Sequence, residues 1–190
     1  MKNSKTILMM IILAMIPAFL GGCIAVEMKE YRFRMNDDGS GEGSIRFINI
    51  VSEEEDEQDV SVKDFRELVS NYIEGKAFEE DNPHYNVIDK RLYEENGVLL
   101  GEVVFTFDSM DSIGFYRDRD CKCSKYIYYM EPLSEVYYES NGNYLGENRD
   151  LPLLMWNHSE EELYFKTLIS ENIEGAHSLL PLYETWEEQK

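Results

Sequence analysis

The sequence predicts an α+β domain: an antiparallel sheet built from hairpins, in the order ββαββ and then further strands, with two helices on one face, one of them C-terminal. Three observations carry that expectation. Turn signals at Asn36-Asp37-Asp38-Gly39-Ser40-Gly41 and at Asn96-Gly97 each separate two apolar stretches that alternate with period two. Two other stretches, starting at Phe65 and Leu179, instead place apolar residues at i, i+3, i+4 and i+7. Neither an internal repeat nor a linker divides the chain.

Taken in order, Glu27 to Met35 reads as a strand, with Met28, Tyr31, Phe33 and Met35 among charges. Gly39 and Gly41 supply a turn, and Ser44 to Val51 returns as the second strand, setting Ile45, Phe47 and Asn49 against Ile48 and Ile50. Glu53 to Glu57, an unbroken acidic run, reads as an exposed loop. Ser61-Val62-Lys63-Asp64 matches a capping box, in which a hydroxyl caps an orphan amide and a carboxylate reaches back. The helix it opens carries Phe65, Leu68, Val69 and Tyr72 on one stripe and is expected to close at Gly75. Tyr85 to Glu94 and Val98 to Phe107 form a hairpin about Asn96-Gly97, the dipeptide suited to a type I′ turn.

Ser109 to Ser124 is polar and reads as irregular. Lys125 to Glu131 and Ser134 to Glu139 follow as strands, with Asn141-Gly142-Asn143 as a turn. Leu151 to Asn157 and Glu162 to Ile169 are expected to pair with each other. Ser178 then caps a last helix bearing Leu179, Leu182, Tyr183 and Trp186, with Pro181 in its first turn, where no amide is missed.

The N-terminus supplies an address. Lys2 and Lys5 precede a run of 14 residues, Ile7 to Leu20, that is apolar apart from Pro17 and ends on Leu20-Gly21-Gly22-Cys23. A basic start, a short apolar core and a small-residue exit are the signature of an export signal. Leu-Gly-Gly-Cys resembles the lipobox of bacterial lipoprotein precursors. That resemblance implies cleavage between Gly22 and Cys23, a diacylglyceryl thioether on Cys23 and acylation of the new amine. Residues 1–22 are then signal peptide, 23–27 a lipidated cysteine with a short tether, and 28–190 one domain. The competing reading is an uncleaved helix, since Ile7 to Val26 gives about the 20 residues a span needs. Pro17 and the glycine pair weaken such a helix where it should be firm. Two acyl chains hold a protein on a bilayer stably, which diacylglyceryl alone provides. Ile24 rather than Asp after the cysteine points to the outer membrane or cell surface.

Beyond Gly22 the chain has 168 residues, enough for one domain with its own core. Lys2 and Lys5 are two of the 18 basic residues and the signal holds none of the 38 acidic ones, so the exported part carries −22. That charge repels phosphate backbones and argues against a nucleic-acid partner. With Cys23 assigned to lipid, only Cys121 and Cys123 remain, too few for a disulfide scaffold. Stability must come from packing, with 13 Tyr and 9 Phe available.

Each candidate for chemistry competes with a plainer explanation. Asn36-x-Asp38-x-Ser40-Gly41 copies the first half of a calcium loop, but position 12 is Phe47 and the flanks are strands, so a hairpin turn accounts for it. Cys121-Lys122-Cys123 allows a disulfide at the limit of its reach, a pair of free thiols, or a soft-metal or redox pair. His84, His158 and His177 are isolated in sequence, and there is neither Gly-x-Ser-x-Gly nor His-Glu-x-x-His. No catalytic residue, metal ligand or cofactor is therefore assigned. The tyrosines at 126, 128 and 129 and at 137–138 either line a sugar or peptide face or pack across strands.

From Gly22-Cys23 through Asp38-Gly39-Ser40-Gly41 to Ser178-Leu179-Leu180-Pro181-Leu182-Tyr183, the chain resembles a group of uncharacterised bacterial lipoproteins, and its start is similar to LppM-type lipoprotein domains. The resemblance implies an envelope lipoprotein, attached to the membrane by its lipid, and supplies no site residues. The expected role is non-enzymatic binding or scaffolding with an envelope partner. The alternative is metal or redox handling through Cys121 and Cys123.

Overall fold

Side chains that alternate along a strand leave one apolar side, and that side must be covered. The computed structural model describes residues 24–118, 120–121, 124–130, 135–146, 152–170, 173 and 175–190. Its strands are β1 (Ile24–Met35), β2 (Gly41–Ser52), β3 (Asn86–Glu95), β4 (Val98–Phe107), β5 (Phe115–Tyr116) and β6 (Tyr126–Tyr129). They continue as β7 (Val136–Ser140), β8 (Asn143–Tyr144), β9 (Leu153–Trp156), β10 (Leu163–Leu168) and β11 (His177–Ser178). The helices are α1 (Ser61–Glu67), running on as a π-helical segment (Leu68–Ile73), then α2 (Ala77–Asp81) and α3 (Leu180–Glu187).

The α+β class and the antiparallel hairpins are as the sequence predicts. The large sheet runs β3-β4-β2-β1-β10-β7, with β11 added at the end of β2. Tyr31 faces Ile45, and Ile45 faces Val103. Asn96 and Gly97 both take positive φ (56° and 80°), the type I′ geometry expected of that pair. One face of the sheet is covered twice. Over the half built from Phe33, Phe105, Phe107 and Phe165 lies a second sheet, β5-β6-β9-β8, which contributes Phe115, Leu154 and Trp156. Over the half built from Ile50, Leu92 and Leu99 lie the helices, through Phe65, Leu68, Val69 and Leu179.

The opposite face is solvated and charged. Glu30, only 7% exposed, accepts hydrogen bonds from Arg32 Nε (3.0 Å) and an Arg46 terminal nitrogen (3.3 Å). Arg46 also reaches Tyr93 Oη and Glu95 Oε2, both at 2.7 Å, and the Arg32 guanidinium lies 4.7 Å from the Tyr164 ring centre. Glu30 is too buried for its pairs to count as surface bridges, and the desolvation cost of a buried ion pair offsets its attraction, so this lattice fixes register more than it adds stability.

Five local expectations are corrected. Asn49 has φ 57° and donates from Nδ2 to Glu27 Oε2 at 2.7 Å. This left-handed residue flips the phase of both strands: Ile24, Val26 and Ile50 share a side with Lys29, Tyr31, Ile45 and Phe47. Simple alternation breaks there. The capping box does not form, because Asp64 turns inward to Ser52 Oγ (2.7 Å), while Asp59 Oδ1 accepts from the Ser61 amide (2.9 Å). Gly75 is not a left-handed cap; the π segment closes through Glu74 N to Val69 O (2.9 Å), which shifts Tyr72 out to 37% exposure. Leu151 to Asn157 and Glu162 to Ile169 do not pair: β9 joins the small sheet and β10 the large one. Ser109 to Ser124 is not wholly irregular, since Met110–Ile113 forms a 3-10 turn leading into β5. In addition, β1 starts at Ile24, so residues 24–27 lie within a strand rather than in a free tether.

Candidate ligand-binding site

Two coverings on one sheet face leave a gap where they meet. Here the gap is a cavity of about 1020 Å³ between the sheet and the segment from Leu68 to Asn82. That volume is at the upper end of the ~300–1,000 Å³ typical of small-molecule pockets. Its floor is apolar: Ile24 and Val26 of β1, Ile45, Phe47 and Ile50 of β2, and Val103 of β4. Phe78 of α2 closes one side, meeting Phe47 edge-on (6.3 Å between ring centres) and stacking on Tyr85 (6.2 Å). The rim carries the exposed Ser70, Asn71, Lys76, Glu80 and Asp81.

At the inner end, polar groups converge on Glu135, just before β7. Its Oε1 accepts from Lys29 Nζ (2.9 Å) and Tyr31 Oη (2.7 Å), and its Oε2 accepts from Thr167 Oγ1 (2.8 Å). Tyr85 and Tyr128 line the same end. Burial, and then the Glu135 charge and hydrogen bond, push the Tyr31 phenol well above its ordinary value. Burial first and Glu135 second push Tyr85 up to about 12. Both phenols are therefore neutral donors at physiological pH. Their ring faces are already in use: Tyr31 stacks on Phe165 (4.5 Å) and Tyr85 on Phe105 (4.0 Å). Only the hydroxyl ends of these two rings remain for recognition.

One residue signals this site in the sequence itself. Lys29 shares the phase of Tyr31, Phe33 and Met35, so a half-buried charge sits in an otherwise core-facing series and calls for a partner. Glu135 is that partner, more than 100 residues away in the chain.

The residues singled out from sequence do not converge here. Gly22 and Cys23 lie outside the described residues, as does Cys123. Cys121 is disulfide-bonded. Within the calcium-like stretch, Asp38 Oδ1 accepts from the amide and hydroxyl of Ser40 (2.9 and 2.7 Å), the bonding of a tight turn. His84 and His158 are exposed. His177 lies 3.4 Å from Glu54 Oε1 and 3.7 Å from Asp59 Oδ2. It pairs with Ser52 across β11 and β2, but the Ser52 hydroxyl is donated to Asp64, both residues being 0% exposed. A nucleophile must also meet a substrate, and Ser52, fully buried with its carboxylate partner, is sealed from one. Among the described residues no three His, Cys, Asp or Glu side chains gather as metal ligands, and no helix is long and apolar enough to cross a membrane. Tyr126 is buried and Tyr137 stacks on Tyr144 (4.0 Å), so these two pack, while Tyr129 and Tyr138 are exposed.

Comparison with family models, with curated proteins and with solved structures finds no match to this chain.

Proposed function

We propose that this chain is a lipid-anchored protein of the bacterial envelope whose single domain works by binding, without catalysis, an apolar or amphiphilic small molecule in the cavity between its sheet and its helices. The observation that carries this reading is the cavity itself: an apolar floor with one cluster of hydrogen-bonding groups at its inner end, the composition of a ligand pocket rather than of a packing defect. The anchor fits it. Ile24 and Val26, directly after Cys23, belong to the cavity wall, so a lipid on that cysteine would hold the site against the bilayer, where apolar molecules reside. The surface charge keeps such a domain soluble and repels anionic headgroups. The disulfide at Cys121 favours a structural role for that sulfur over thiolate metal binding.

The test is to isolate the full chain from envelopes, extract it with organic solvent and identify what is released by mass spectrometry. Wild type should release one molecular species. Val103→Phe, which fills the floor, should release little of it. Cys23→Ser should leave the membrane fraction. Equal release from wild type and Val103→Phe would refute cavity binding, and unchanged fractionation of Cys23→Ser would refute the anchor.

A further inference from the structure

If the cavity holds a ligand, its inner end is built to choose among head groups. We infer that this end selects a neutral hydroxyl, so that the ligand is a long apolar alcohol or a lipid presenting one, in preference to a fatty acid or a fatty amine. Two unfilled positions define the choice. Among the described residues Glu135 Oε2 accepts only from Thr167, which leaves a lone pair open, whereas Oε1 already accepts twice. The Tyr85 hydroxyl lies within the reach of the Glu135 charge, lines the cavity and makes no hydrogen bond among the described residues. A hydroxyl is the smallest group that satisfies both, donating to Oε2 while accepting from Tyr85.

The two charged heads each fail on a specific contact. A carboxylate offers no proton to Glu135 and brings a like charge to it, and the surroundings deepen the penalty: Glu67, Glu80, Asp81, Glu102 and Glu135 outnumber Lys29 and Lys76 around the cavity. An ammonium can donate to Oε2 but carries no lone pair, so it leaves the Tyr85 hydroxyl without the acceptor an alcohol supplies, and it sits beside the like charge of Lys29. It also finds no free ring face on Tyr31 or Tyr85, which are stacked on Phe165 and Phe105. A site that hydrogen-bonds a hydroxyl discriminates strongly against heads that leave its buried groups unpaired.

The test uses the full chain in phosphatidylcholine nanodiscs with three photoreactive 16-carbon probes that differ only in the head: alcohol, carboxylic acid and amine. After illumination, labelled peptides are mapped and quantified. The alcohol should label peptides of β2, β4 and the Leu68–Asn82 segment several-fold more than the acid or amine. Tyr85→Phe keeps both ring stacks, and one lost hydrogen bond should lower alcohol labelling about 2- to 12-fold while leaving the amine, which cannot accept from Tyr85, unchanged. Glu135→Gln should raise acid labelling. Equal labelling by the three heads, or indifference of the alcohol to Tyr85→Phe, would overturn head-group selection with the cavity reading intact. Absence of label in the cavity walls with every probe would overturn the cavity reading itself.

Discussion

Lys90→Met tests how the cavity is kept open. Lys90 Nζ donates to Gly75 O (2.6 Å) and to both carboxylate oxygens of Glu79 (2.9 Å each), clipping β3 to the turn between the π segment and α2. That turn holds Phe78 in the cavity wall. Lys90 is 10% exposed and Glu79 29%, so the pair lies between a surface bridge, worth ~0–1 kcal/mol, and a buried pair whose breakage costs ~3–5 kcal/mol. Methionine preserves the stem and leaves Gly75 O and Glu79 without their donor, so a loss of about 2 kcal/mol is expected. For a domain of this size that lowers Tm by roughly 4–8 °C. The Lys90 hydrogen bonds hold the Glu79 carboxylate below its ordinary 4.5. A depressed acid stabilises above its unfolded value and loses that contribution as pH falls through the folded one. The gap between wild type and Lys90→Met should therefore be full at pH 7 and shrink in acid below about 4.5. Calorimetry at both pH values measures it. A Tm within 1 °C of wild type at pH 7, or a gap that stays constant into acid, would refute the reasoning.

Three further outcomes follow from named contacts. Asn49→Gly should cost little because glycine adopts φ 57° freely, whereas Asn49→Val should cost about 2 kcal/mol or more by denaturant titration. Asn141→Ala should lose about 2–3 kcal/mol, because Asn141 Oδ1 accepts from Trp156 Nε1 (2.7 Å) and Tyr164 N (2.9 Å) and its Nδ2 donates to Glu162 O (2.8 Å), joining the two sheets. Tyr31 and Tyr85 are raised acids, so the stability they contribute is complete below pH 10 and is lost as pH rises through their folded values, about 12 for Tyr85. Ultraviolet titration should show a set of late-ionising phenols, Tyr31, Tyr85 and Tyr164 among them, and Tyr85→Phe should remove one.

Much of the large sheet was legible because its strands are long enough for period two to show. The Asn96-Gly97 hairpin and the Phe65, Leu68, Val69 stripe came out as read. The second sheet was hidden for a physical reason: β5 and β8 have two residues each, too few to carry a period. Its strands are specified by long-range partners such as Trp156 against Asn141. The Asn49 flip was also hidden, since no rule forces an asparagine with apolar neighbours into the left-handed region. The site was legible only in Lys29. Glu135, Tyr85 and Thr167 come from three distant segments, and only the folded sheet brings them together.

The account rests on the gap between sheet and helices being a place where an apolar molecule sits. Methyl-labelled NMR of the full chain in nanodiscs, titrated with dodecane, examines it directly. The predicted result is saturable shifts at Ile45, Ile50 and Val103 with Leu154 and Leu163 of the aromatic core unmoved. Shifts spread evenly over both sets, or none at the first, would contradict it.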